Sequence, residues 1–90
     1  MAKRTDGNQA EIVQALRRVG CTVQDLHAVG HGCPDVVVGR AGQTYLLEIK
    51  NGDRARLNSR EQRWHNEWRG QVAVVRTVED ALRAVGIPIA

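Results

Sequence analysis

Charged residues occur at two points of the sequence where the neighbouring residues are apolar and typical of β-strands. Asp35 precedes a run of valines at residues 36–38, and Glu48 and Lys50 flank Ile49 in a second apolar run. Because side chains alternate along a strand, Glu48 and Lys50 share one face and Ile49 points to the other. Carboxylates and an amine at one strand end are groups that hold a metal ion or transfer a proton.

The connection between these two runs predicts that their carboxylates are neighbours. Gly39-Arg-Ala-Gly-Gln has the glycines of a β-hairpin, and a hairpin centred there places Asp35 roughly opposite Leu47 and Glu48. Two unit charges about 4 Å apart repel by about 4 kcal/mol at an effective dielectric constant of about 20. A positive group is therefore expected beside the pair, and Lys50 alone could supply it.

A divalent cation can balance the same carboxylates. Asp35, Glu48 and the backbone carbonyl of Ile49 offer oxygen ligands of the kind preferred by hard cations that keep several of their waters. The sequence therefore predicts a Mg²⁺ or Mn²⁺ site at this strand end, and it predicts no organic cofactor.

The segment after this strand is rich in basic residues. The 90 residues carry 13 Lys and Arg against 10 Asp and Glu, a formal net charge of +3, and six of the basic residues lie between positions 50 and 69. A local excess of positive charge favours a polyanionic partner. Glu61 and Glu67 lie among the bases, so a solvated surface helix is the alternative.

Length, composition and apolar spacing predict one small α/β domain over residues 1–90. A chain of this length buries only about 60–65% of its unfolded surface, which supports one core. With 42% hydrophobic but 3% aromatic residues, that core must consist mainly of Val, Leu, Ile and Ala. The predicted order is αβββαβα, a mixed four-stranded sheet flanked by helices. Helices are expected at 8–19, 59–69 and 77–85, and strands at 22–29, 34–38, 44–50 and 72–75.

The second predicted helix carries both tryptophans of the chain. Ser59 and Gln62 have the spacing of a capping box at its start, and Gly70 marks its end. Trp64 and Trp68 lie one turn apart. We expect them in the core rather than at a base-stacking surface, because the chain has few large apolar residues.

The cellular location of the protein, and with it the redox state of its cysteines, is predicted from the apolar runs and the first residues of the chain. No apolar run approaches the ~20 residues that span a bilayer, and residues 1–8 have no signal-peptide core, so we expect a cytoplasmic protein. Cys21 and Cys33 are then expected to stay reduced. Together with His27 and His31 they suggest zinc, but their spacing matches no familiar zinc finger.

Pro34-Asp35, a gap that spans a hairpin, and Glu48-Ile49-Lys50 together resemble the PD-(D/E)XK nuclease pattern. The αβββαβα order resembles the VRR-NUC branch of that superfamily, which is similar to Holliday-junction resolvases. The resemblance implies a restriction-endonuclease-like core that hydrolyses DNA phosphodiester bonds with Mg²⁺ or Mn²⁺. In the family a first-helix glutamate and the motif aspartate and glutamate bind metal, the motif lysine orients or activates the attacking water, and a glutamine lies downstream. By position these are Glu11, Asp35, Glu48, Lys50 and Gln62.

The resemblance also implies a homodimer that acts on branched DNA such as a Holliday junction, since resolving a four-way junction needs two cuts. Flanking phosphates would then be held by Arg54, Arg56, Arg60 and Arg63. Helix capping is the alternative for Glu11, with Asn8, and for Gln62. The main alternative function is a nucleic-acid-binding module that keeps the fold without cleaving, and the second is a subunit of a larger complex.

Overall fold

The computed structural model describes residues 7–89, in which the helices and strands follow the predicted αβββαβα order with one added 3₁₀ turn. Residues 1–6, which contribute to the signal-peptide prediction, and residue 90 lie outside this range. No helix within residues 7–89 is long and apolar enough to cross a membrane. The elements are α1 (Gln9–Arg18), β1 (Thr22–Asp25), the 3₁₀ turn (His27–Val29), β2 (Val36–Arg40), β3 (Gln43–Ile49), α2 (Ser59–Glu67), β4 (Ala73–Val75) and α3 (Val78–Ala84).

Two predicted boundaries are wrong for local reasons. The strand expected at 22–29 ends at Asp25, whose side-chain Oδ1 accepts a 2.6 Å hydrogen bond from the backbone N–H of His27 and starts the 3₁₀ turn. The expected five-residue hairpin connection is a two-residue turn at Ala41 and Gly42. Both have positive φ, 50° and 77°, as a type I′ turn requires. Strands β2 and β3 therefore reach closer to the turn than predicted, and β2 also begins two residues later, at Val36.

The sheet is mixed and has the strand order β1-β2-β3-β4. The β1–β2 and β2–β3 pairs are antiparallel, and the β3–β4 pair is parallel. Val36 pairs with Leu47, so the next position outward brings Asp35 opposite Glu48. The register expected from the hairpin is therefore confirmed.

One face of the sheet packs against α1 and α3. Its apolar residues alternate with polar ones along β3, so Leu47 and Ile49 enter the core while Glu48 and Lys50 point to the other face. The core is aliphatic, as the composition predicts. Its buried members are Ile12, Leu16, Cys21, Val36, Val38, Leu47, Ile49, Val75, Ala81 and Val85.

Helix α2 covers the polar face of the sheet, and none of its residues in the described chain is buried. The expectation that Trp64 and Trp68 belong to the core is therefore wrong. Their rings stack on each other at 4.6 Å, and Trp68 is 43% exposed. The reason is that α2 lies over Glu48 and Lys50 and not against the aliphatic core on the other face of the sheet.

Gly32 lets the loop before β2 approach the start of α2. Its φ is +82°, and a Cβ at this position would overlap the backbone carbonyl of Arg60. Both the backbone conformation and the close approach therefore favour glycine. Gly42 has a similar φ of +77°, but an added Cβ there would meet no atom within 4 Å.

We expect Gly32→Ala to destabilise the protein by about 2–4 kcal/mol, because it adds a clash with α2 to the cost of a positive φ. Gly42→Ala is the matched control and should cost about 1 kcal/mol, from backbone conformation alone. Urea unfolding followed by circular dichroism measures both. Equal losses would show that the approach of the loop to α2 contributes nothing.

Candidate active site

The carboxyl groups of Asp35 and Glu48 lie side by side on the polar face of the sheet. The Asp35 side chain is held in place because its Oδ2 accepts a 2.7 Å hydrogen bond from the Ile49 N–H, while its own N–H donates to the Leu47 carbonyl at 3.1 Å. The Glu48 side chain hydrogen-bonds to Asp35 and is only 1% exposed as a residue. The two carboxyl groups that the register predicts to be neighbours are brought into contact.

Glu48 is a strongly perturbed acid. Burial raises its pKa to about 9, and the hydrogen bond with Asp35 and the negative charges of Asp35 and Glu61 act in the same direction, against the opposing charge of Lys50. In the absence of a cation, the carboxyl pair therefore holds a proton at neutral pH. A cation bound there would take the place of that proton.

Lys50 is held by a second acid that the sequence analysis does not identify. Its Nζ donates a 2.7 Å hydrogen bond to Oε1 of Glu61 and lies 3.9 Å from Oε2 of Glu48. Burial alone would lower the pKa of Lys50, but the hydrogen bond to Glu61 and the charges of Glu61, Glu48 and Asp35 outweigh burial and raise it. Lys50 is therefore positively charged and acts as a donor.

Glu61 reaches Lys50 because α2 begins one residue earlier than the capping prediction assumes. Asn58, not Ser59, is the N-cap: its side chain accepts from the Glu61 N–H, and Glu61 Oε1 accepts from the Asn58 N–H at 2.9 Å. Asn58-x-x-Glu61 is as good a capping box as Ser59-x-x-Gln62. That spacing is the signal in the sequence that points to Glu61.

His65 is the other residue of the site that sequence reasoning missed. It lies one helical turn after Glu61, and its Nε2 is 3.7 Å from Oε1 of Glu48. Burial lowers the pKa of His65, and the positive charge of Lys50 lowers it further, whereas the negative charge of Glu61 raises it. The net shift is downward, so the imidazole is neutral at neutral pH. Only the four-residue spacing from Glu61 could have indicated its position.

Glu11 and Gln62, predicted by position, make no hydrogen bond or ion pair with the carboxyl pair among residues 7–89. Within residues 7–89, Glu11 is exposed on the first turn of α1 and has no hydrogen bond or ion pair to Asp35 or Glu48. Gln62 is exposed and donates to the Asn66 side chain at 2.9 Å. Their metal-binding and catalytic roles stay predictions.

The Asn8 side chain hydrogen-bonds to backbone carbonyls near the site and does not cap α1. Its Nδ2 donates 2.9 Å hydrogen bonds to the carbonyls of Lys50 and Arg76, and its side chain makes no capping bond, so the box with Glu11 is not formed. The start of α1 is thereby tied to the ends of β3 and β4. This fixes the backbone from which the Lys50 side chain extends.

The four arginines predicted to hold phosphates are all exposed, and one of them adjoins the carboxyl pair. Arg60 lines a cleft of about 200 Å³ together with Asp35, Glu61, His31 and Gly32. Arg63 lines an adjoining depression along α2, which shares Arg60 and His31 with that cleft.

Arg54 and Arg56 lie in the loop between β3 and α2. Nη1 of Arg76 donates to the carbonyls of Gly52 and Ala55, at 2.8 and 2.7 Å, and so holds this loop against the end of β4. The positions of these two arginines are therefore set by a third arginine that the sequence analysis does not single out.

The Asp35–Glu48 pair fits a divalent cation. In the described part of the chain no three His, Cys, Asp or Glu side chains converge as a complete metal site, so two carboxylates with backbone and water ligands are what the residues offer. Oε1 of Glu48 is buried and has no hydrogen-bond partner among residues 7–89. A cation would satisfy this oxygen.

Both cysteines are free thiols among the described residues. Burial raises the pKa of Cys21, although the charge of Arg40 opposes it. Burial also raises the pKa of Cys33, and the charges of Glu48 and Asp35 add to this shift. Both groups are therefore protonated at neutral pH.

We expect the metal-free protein to lose stability as pH rises from about 7 to about 8.5 in the presence of a chelator. Glu48 keeps its proton in the folded state up to about 9 but loses it near 4.5 when unfolded, so the folded state binds more protons and rising pH favours unfolding. This pH range lies above the ordinary pKa of His65 and below the ordinary pKa values of Cys21 and Cys33, so Glu48 is the group responsible for the loss.

Glu48→Gln should flatten this dependence and raise the melting temperature at pH 8, because the buried group no longer ionises on unfolding. Glu79→Gln, at an exposed glutamate of α3, is the matched control and should keep the slope of the natural chain. Thermal unfolding measures both variants. A slope that is unchanged in Glu48→Gln would contradict a perturbed acid at this position.

The fold can be compared with known proteins. A solved structure described as a VRR_NUC domain superposes with a TM-score of 0.70, over 86% of this chain and 88% of that chain, at 21% sequence identity. No family model matches the sequence, and no curated protein is significantly similar to it. At this identity the superposition bears on the fold alone. The resemblance seen in the sequence is confirmed at that level: the chain has the fold of a VRR_NUC domain.

Proposed function

We propose that the protein is a metal-dependent endonuclease that hydrolyses DNA phosphodiester bonds at the Asp35–Glu48 pair. The observation that carries this proposal is the contact between two carboxyl groups, one of them only 1% exposed, beside a charged lysine. Strongly perturbed acids cluster at functional sites. A nuclease fold supports the same reading.

A purely structural purpose explains the pair poorly. Asp35 and Glu48 repel each other when ionised, and Oε1 of Glu48 makes no hydrogen bond within residues 7–89. Buried polar clusters are often replaced by apolar residues with no loss of stability. An acid pair that costs stability is better explained by the chemistry it performs.

Asp35, Glu48 and the Ile49 carbonyl would hold Mg²⁺ or Mn²⁺. When bound, such an ion polarises a phosphoryl oxygen and acidifies a water molecule. Glu11, as the resemblance implies, would add a further carboxylate from α1. The ion would take the place of the proton that the pair holds at neutral pH, and burial of Glu48 would limit the screening of its charge by water.

Lys50 would orient the attacking water and offset charge on the phosphate. Its raised pKa leaves it protonated, so it donates hydrogen bonds and does not remove the proton from water. Glu61 holds the ammonium at 2.7 Å, within reach of the Glu48 carboxyl group. This arrangement positions a fixed positive charge where the reacting phosphate would bind.

DNA would approach across α2. Arg60 lines the cleft that contains Asp35. The side chains of Arg54, Arg56 and Arg63, which are close to Arg60 in sequence, are exposed and could contact backbone phosphates. Gln62 is exposed on the same helix and would contact the DNA or the water. We propose branched DNA, such as a Holliday junction, as substrate and a homodimer as the active form, because two opposed strands must be cut.

Cleavage of a labelled four-way junction and of a matched linear duplex tests the activity, with Mg²⁺, Mn²⁺ or a chelator. We expect metal-dependent symmetric cuts in the junction, and we expect Lys50→Ala to lower the rate by about 10²-fold or more, because a charge that stabilises the transition state is removed. Arg83→Ala, on α3 and away from α2, is the control and should cut normally.

Intact substrates at high protein concentration with either metal, together with a gel shift, would overturn the nuclease proposal. They would establish the non-cleaving binding module. No gel shift and no cutting would instead favour a subunit role. Trp64 lies in α2 and Trp68 lies at its end, so tryptophan fluorescence shows whether α2 keeps its position in the Lys50→Ala variant.

The arginines should act through charge alone. We expect Arg60→Ala and Arg63→Ala to weaken binding to any DNA sequence, and each to reduce the steepness of the salt dependence of log K by about 1. Fluorescence anisotropy over a range of salt concentrations measures this slope. Arg83→Ala is again the control, and an equal effect of Arg83→Ala would show that only net charge matters.

A further inference from the structure

His65 and Glu48 face each other across the gap between α2 and the sheet. Nε2 of His65 lies 3.7 Å from Oε1 of Glu48, beyond hydrogen-bond distance. Both atoms are buried, and neither has a hydrogen-bond partner among residues 7–89. Leaving a buried polar atom unpaired costs about 1–3 kcal/mol, so two that point at the same space indicate that something binds between them.

The separation of the two atoms restricts what can bind there. A shared proton would draw them to about 2.7–3.2 Å. One bridging water would have to form its two hydrogen bonds at an angle of only about 80° to each other. Two donors on one metal ion, each about 2.0–2.2 Å from it, commonly lie about 3–4 Å apart, which matches the observed distance.

The surroundings hold the His65 ring in one orientation. The charged groups that face it are Glu48, Glu61 and Lys50. The Trp64 ring packs edge-on against it at 5.7 Å and an interplanar angle of 69°, which restricts its rotation. An oriented imidazole nitrogen is the usual histidine ligand of metals.

We propose that an ion bound at Asp35 and Glu48 draws Nε2 of His65 onto it as a further ligand, and that this nitrogen makes the site prefer Mn²⁺ and later transition metals to Mg²⁺. Among residues 7–89 these three side chains are not already assembled as a metal site, so the imidazole closes onto the ion when the ion binds. The inference rests on the proposed function of this pair as a metal site. Imidazole suits transition metals, whereas Mg²⁺ takes oxygen ligands and retains its waters. The carboxylates alone would not distinguish the two metals in this way.

The proposal also assigns a structural consequence to metal binding. Helix α2 has no buried residue among those described, and Lys50–Glu61 is its direct side-chain bond to the sheet at the site. A ligand from α2, with Asp35 just before β2 and Glu48 in β3 on the same ion, would join the helix to the sheet. Ion binding is therefore expected to hold α2 more firmly against the sheet and to change the tryptophan fluorescence.

Isothermal titration of Mn²⁺ and of Mg²⁺ into the metal-free protein tests the proposal. We expect His65→Ala to weaken Mn²⁺ binding about 10–100-fold and Mg²⁺ binding by less than about threefold, so that the preference for Mn²⁺ is lost. Asn66→Ala, at the exposed position after His65 on α2, is the matched control and should leave both affinities unchanged.

A measurement on the natural chain avoids any effect of mutation on folding. In a ¹⁵N-labelled sample, Zn²⁺ added below one equivalent should shift the side-chain Nε2 resonance of His65 by far more than those of His27 and His31, the two exposed histidines of the neighbouring cleft. Saturating Mg²⁺ should shift none of the three. An unshifted His65 Nε2 in the presence of bound Zn²⁺ would overturn the proposal.

The outcomes separate this inference from the proposed function. If the natural chain binds neither Mn²⁺ nor Mg²⁺, the metal site and the His65 inference both fail. If Glu48→Gln abolishes binding while His65→Ala keeps the preference for Mn²⁺, the carboxylate site stands and His65 is only packed beside it. A lost preference in His65→Ala with an intact fold supports the nitrogen ligand.

Discussion

Burial of the Glu48 carboxyl group within the sheet is the constraint on which the polar side of the structure depends. Glu48 lies between Leu47 and Ile49, both fully buried, so it cannot leave the sheet without moving the core strand. A carboxyl group in this place requires a proton or positive charge beside it. Asp35 shares a hydrogen bond with it, and Lys50 lies 3.9 Å away.

The same constraint explains how α2 is attached. The helix places Glu61 against Lys50 and His65 toward Glu48, and its tryptophans stack on each other outside the core. An element that is held by polar contacts and not by apolar burial opens more easily than the core elements. Substrate or ion binding would then stabilise α2 by mass action. Under the proposed function, the order of α2 and the binding of an ion or substrate would be coupled at this one place in the fold.

The fold and the site bear on function to different degrees. A nuclease-like fold is shown by superposition, but one fold hosts proteins that cleave and proteins that only bind. What favours cleavage is the site itself: two acids in contact, one of them buried, beside a charged lysine. A binding module would need exposed arginines but would have no use for a buried acid whose ionisation is suppressed.

The sequence by itself determines the order of the elements and the meeting of Asp35 with Glu48. These depend on apolar alternation and on a short hairpin, which are local properties of the chain. Only the tertiary structure decides which residues of α2 complete the site. Two capping boxes, offset by one residue, fit the sequence equally well, and an offset of one residue rotates a helix by about 100°. That rotation determines that Glu61 and His65, and not Gln62, face the sheet.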